Sequence, residues 1–113
     1  MDPCAFIHYS DSNIREKTLL EGLRSPLFQA YHDGQPFNSN MFQPCPMLEN
    51  PQMLRQMVEK TGAHSTDLQS PESADHLCGK CDHYAACWQE KADQLWSEIP
   101  EERRAFVLEH NTK

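Results

Sequence analysis

Leu77-Cys78-Gly79-Lys80-Cys81-Asp82-His83-Tyr84-Ala85-Ala86-Cys87-Trp88 puts three thiols within ten residues, and whether one helix runs through it decides the fold. Upstream, Ser70-Pro71-Glu72 pairs a capping serine with a proline suited to the first helical position. Downstream, Pro100 stops a helix near Glu98. The spacing therefore predicts a helix from about residue 71 to about residue 98. At about 100° per residue, Leu77, Cys81, Tyr84, Trp88, Ala92, Leu95 and Ile99 then form one apolar stripe. Cys78 falls about 60° to one side, able to point into the same pocket, and Cys87 about 120° from Cys81, near the polar face. All three thiols share one site only if the helix breaks. Gly79 is the residue placed to break it, and its helical cost of about 1 kcal/mol leaves both geometries open.

Working toward the N-terminus, Asn50-Pro51 repeats the cap-plus-proline signal for a helix through Lys60 that closes at Gly62. Residues 35–50 hold three prolines, three asparagines and no helical period. They read as an irregular loop carrying Cys45, pinned to the core by Phe37, Met41 and Phe42. Ser25-Pro26 opens a helix to about His32, before Gly34, and Thr18-Leu19-Leu20-Glu21 is a capping box for a shorter one to about Arg24. Ala5 to Ser10 is aromatic and β-branched, an extended or β segment followed by a turn at Asp11-Ser12-Asn13. Beyond Pro100, Arg103 to His110 continues helical. The fold class is thus mainly α: one small domain over 1–113, with strand, turn and short helices in 1–34, the Cys-bearing loop in 35–50 and a helical part in 51–113.

Composition narrows the function. A chain of 113 residues with 38% hydrophobic content has a modest core, for which a metal or cluster is a plausible staple. Seventeen acidic against ten basic residues argue against general attraction to nucleic acid or anionic membrane. No apolar run reaches the length of a membrane span. Met1-Asp2-Pro3-Cys4 lacks the basic start and apolar run of a secretory signal, so a cytoplasmic, reducing location is expected. Five cysteines there suit metal ligation or free thiols better than a closed disulfide framework.

C-x2-C lets a turn bring two sulfurs to a common point, for an iron-sulfur cluster or for zinc, with His76 or His83 available to a zinc site. Free structural thiols are the plainer alternative, because cysteine is a small buried hydrophobe. A redox pair lacks the βαβ setting it needs. Cys4 and Cys45 each follow proline, which preorganises a ligand and equally marks an ordinary turn. His64-Ser65-Thr66-Asp67 contains nucleophile and base types, but adjacent residues do not converge into a triad, so it reads as a turn or cap. His8, His32, His64 and His110 are scattered and read as solvated or satisfied by local hydrogen bonds. Trp88 and Trp96 read as anchors of the terminal helix.

The order Pro3-Cys4-x-Phe6, Asn13-Ile14-x-Glu16-Lys17-x-Leu19, Leu23-x-Ser25-Pro26-x-Phe28, Cys45, then C-x2-C-x5-C resembles the C-terminal SPASM or twitch region of radical SAM enzymes. Pro44-Cys45-Pro46-Met47-Leu48-Glu49-Asn50-Pro51, Thr61 to Asp67 and the Trp88-to-Trp96 helix are similar to one group within that superfamily. The resemblance implies an auxiliary 4Fe-4S cluster with Cys4, Cys45, Cys78 and Cys81 as ligands, and Cys87 as a further ligand ranked last on its helical phase. It also implies a barrel that carries the chemistry. The C-x3-C-x2-C motif that binds S-adenosylmethionine beside its cluster is missing from these residues, as is the strand leading into Pro3-Cys4. The expectation is a C-terminal fragment or split product, non-catalytic alone, with S-adenosylmethionine reaching it only through a missing barrel domain or protein. A zinc-stabilised or metal-free helical interaction module is the alternative.

Overall fold

The computed structural model describes residues 1–111. In chain order the elements are β1 (Tyr9–Ser10), α1 (Leu19–Leu23), α2 (Pro26–Gly34), α3 (Pro51–Thr61), β2 (His64–Ser65), α4 (Ala74–Glu98) and α5 (Glu101–Asn111). The architecture is mainly helical, with one small sheet near the N-terminus and an irregular stretch between α2 and α3, as the sequence predicts.

Caps set the boundaries. Thr18 Oγ1 accepts from the Glu21 amide while the Glu21 carboxylate accepts from the Thr18 amide, so α1 opens on a complete capping box. The Ser25 hydroxyl caps α2, whose first residue is Pro26. α3 closes on Gly62 at φ +70°, a left-handed conformation that glycine adopts without steric cost. Asn50 departs from its expected capping role. Its side-chain amide makes no helix cap and instead donates to the carbonyls of Gln43 and Cys45, at 2.7 and 3.0 Å.

α4 starts later than Ser70-Pro71 suggests. Asp67 Oδ1 accepts the amides of Gln69 and Ser70, the Glu72 carbonyl accepts the Tyr9 hydroxyl at 2.6 Å, and Ser73 becomes the cap, accepting from the His76 amide. From Ala74 the helix runs unbroken for 25 residues, through Gly79. α5 begins two residues before the expected Arg103.

Extended structure is briefer than Ala5 to Ser10 predicts. Cys4 bridges Ile7 across a tight turn, and only Tyr9 and Ser10 pair, antiparallel, with Ser65 and His64. The segment 64–67 is therefore part strand, although Ser65 Oγ does accept the Asp67 amide as a local turn would have it.

α3 packs on α4 and α2 on α3. Ile7, Tyr9, Leu27, Phe37, Leu54, Met57, Ala63, Ala74 and Cys78 form the core. The buried seam of α4 is Ala74, Cys78, Ala85 and Ala92, rotated from the expected stripe toward Cys78, so Tyr84 is left 45% exposed. That seam is made of small side chains. Among the described residues no helix is long and apolar enough to cross a membrane.

Candidate metal centre

The loop between α2 and α3 has no regular ladder, so its backbone groups are satisfied by side chains. Asn38 Oδ1 accepts the Asn40 amide, and Asn40 Oδ1 accepts the Phe42 amide. Asn38 in turn donates to Asn50 Oδ1. Two further bonds fasten the loop to α4: Asn40 donates to Asp93, and Trp88 Nε1 donates to the Phe42 carbonyl at 2.8 Å. The Phe42 ring meets Trp96 edge-on, while Phe37 is buried with its ring edge-on to Tyr31. The two tryptophans thus hold the Cys45 loop against α4, a more specific job than anchoring the helix. Of the three residues expected to pin the loop, Phe37 enters the core and Met41 is half-buried, whereas Phe42 reaches α4.

Cys45 sits where this loop turns into α3. Its Sγ accepts two backbone N–H groups, from Met47 at 3.4 Å and Leu48 at 3.3 Å, and its own amide donates to Glu49.

Tyr31, on α2, is influenced by both Cys4 and Cys45. Burial first, then the neighbouring Cys4 thiol and next Cys45, push its phenol up to about 12. Cys4 itself packs half-buried against the core. Tyr31 was not singled out in the sequence, although Leu27, Ala30 and Tyr31 have the i, i+3, i+4 spacing of a core-facing stripe.

Cys78 and Cys81 complete the neighbourhood from α4. Cys78 is fully buried, and that burial pushes its thiol up to about 11, with Cys81 adding to the effect and Arg55 opposing it. Cys81 is also raised, by burial first and then by Cys45. Arg55 of α3 lies across this turn of α4. Its guanidinium makes a two-pronged pair with Asp82, both contacts at 2.8 Å, and its Nε donates to Asp75. Asp82 is held below the usual carboxylate range by that pairing. Arg55 too was missed, because its partners lie twenty or more residues away.

Cys4, Cys45, Cys78 and Cys81 therefore come from three separate segments and lie within electrostatic reach of one another in a chain: Cys4 through Tyr31 to Cys45, Cys45 to Cys81, Cys81 to Cys78. All are free thiols. Among the described residues, no three His, Cys, Asp or Glu side chains close on a single ion. Cys87 stands apart. Because Gly79 leaves α4 unbroken, Cys87 lies about 9 Å further along the axis than Cys81 and about 120° round it. There it is exposed, 3.6 Å from His83 Nε2. Compared with known proteins, the chain matches no family model, no curated protein and no solved structure.

Proposed function

We propose that the chain is an accessory domain binding a 4Fe-4S cluster through Cys4, Cys45, Cys78 and Cys81, for a radical SAM catalytic unit. The observation that supports this reading is that thiols of three distant segments influence one another in sequence, Cys4 and Cys45 both at Tyr31 and Cys45 at Cys81, with Cys45 Sγ receiving two backbone N–H groups. Four thiols match the number a cubane takes, one to each iron, whereas a single ion needs its donors on one point and among the described residues no three close on one.

When bound, such a cluster supplies an electron relay or an iron to which substrate attaches. The chain's own residues do the rest. Met47 and Leu48 donate to the Cys45 sulfur and orient it. Trp88, Trp96 and Asn50 hold the loop in place, and the core around Cys78 keeps water from that thiol. Each ligand must release its proton to become a thiolate, which for Cys78 means overcoming the burial that keeps it neutral. S-adenosylmethionine enters only with the catalytic barrel, the proposed partner, in a reducing cytoplasm; neither nucleic acid nor membrane is part of the reading. Phe6, Ile14, Leu19, Leu20 and Leu23 are exposed on the N-terminal side and offer apolar surface for that barrel.

Reconstituting the wild type and Cys45→Ala with iron and sulfide, without oxygen, tests the ligand set. Several-fold less iron in Cys45→Ala is expected. Iron unchanged by the substitution would remove the loop from the site, and zinc bound in place of iron would favour an interaction module.

A further inference from the structure

Cys87 is left unused by the four-thiol site, yet it has a partner of its own. His83 and Cys87 are four residues apart on an unbroken helix, so they lie on the same face on consecutive turns. Both are exposed, and Cys87 Sγ stands 3.6 Å from His83 Nε2. A tetrahedral zinc ion with a sulfur at about 2.3 Å and a nitrogen at about 2.0–2.1 Å spans about 3.6 Å between those two ligands. The pair already has the separation of one edge of that tetrahedron.

We propose that His83 and Cys87 form a second, surface site for a borderline-soft divalent cation of the zinc type, separate from the four-thiol corner. One thiolate and one imidazole are the donors such an ion prefers. Binding replaces the Cys87 S–H proton, which leaves to water, and uses the Nε2 lone pair of a His83 ring that keeps its proton on Nδ1. The helix holds both donors at fixed spacing, so little order is lost when the ion binds. Water completes the coordination, and the exposure of both residues gives the ion a direct path. The site stands whether or not the cluster reading does, since it shares no residue with it.

Residue-resolved alkylation of the metal-free full chain, read by mass spectrometry with and without zinc, tests the pair. Zinc is expected to slow alkylation of Cys87 about tenfold or more in the wild type. His83→Ala should abolish that protection with an unchanged circular dichroism spectrum, and His83→Cys should retain it. Cys87 alkylation unaffected by zinc overturns the site, and so does protection that persists in His83→Ala.

Discussion

Cys78 combines two demands that oppose each other. It is among the largest fully buried side chains, with Ile7, Leu27 and Leu54, and so acts as a core hydrophobe. In the proposed ligand role it would have to be anionic. Burial raises its thiol from 9.0 to about 11, so the metal-free fold keeps it neutral where the unfolded chain would release the proton. The stabilisation is fully present below pH about 9 and is lost as pH climbs toward about 11, a fall of at most about 3 kcal/mol. Urea midpoints of the metal-free chain should drop across that window, and Cys78→Ala, less stable at neutral pH, should show a shallower drop; equal slopes would contradict the assignment. Asn50 makes the complementary case for hydrogen bonding. Asn50→Asp replaces a double donor to the Gln43 and Cys45 carbonyls with an acceptor, and a loss of about 1–3 kcal/mol in denaturant unfolding is expected. The caps at Thr18 and Ser25 were legible in the sequence because each signal is complete within four residues. Asn50 was misread because its amide reaches back to residues that no short pattern includes.

At the scale of elements, α4 decides the arrangement of thiols. Its far end was legible from Pro100, and its passage through Gly79 is a propensity question that packing settles. A methyl group added at Gly79 meets only the Arg55 guanidinium, at an ordinary 3.9 Å. Gly79→Ala should therefore raise stability by about 1 kcal/mol, measured by thermal or urea unfolding, while leaving bound iron unchanged. Loss of iron in that variant would mean that ligation needs a broken helix. The start of α4 was not legible, because it depends on the Tyr9 hydroxyl reaching the Glu72 carbonyl across most of the chain. The buried seam was displaced for a related reason: periodicity gives the width of an apolar face, but the partner helix selects which edge of it is covered. Cys87 shows what phase alone does give, since its distance from Cys81 around the helix was readable from the spacing.

The whole molecule is extended for its length. Its radius of gyration is 15.7 Å, against about 13 Å for a compact chain of this size, because α4 alone is about 37 Å long and α5 buries no residue of its own. With Phe6, Ile14, Leu19, Leu20 and Leu23 also exposed, the chain should associate with rising concentration in sedimentation experiments, and Leu19→Glu should weaken the association. A single monomeric species at every concentration would contradict the docking role given to this surface. The mainly helical class was readable in the sequence from capping and proline signals, and the candidate ligands from their thiols. The seating of the Cys45 loop was not, because it depends on two tryptophans clamping it from more than forty residues away. The central claim is tested most directly by quantifying iron, acid-labile sulfide and zinc per chain after anaerobic reconstitution. About four irons and four sulfides per chain are predicted. Zinc alone, or no metal at all, would contradict the cluster.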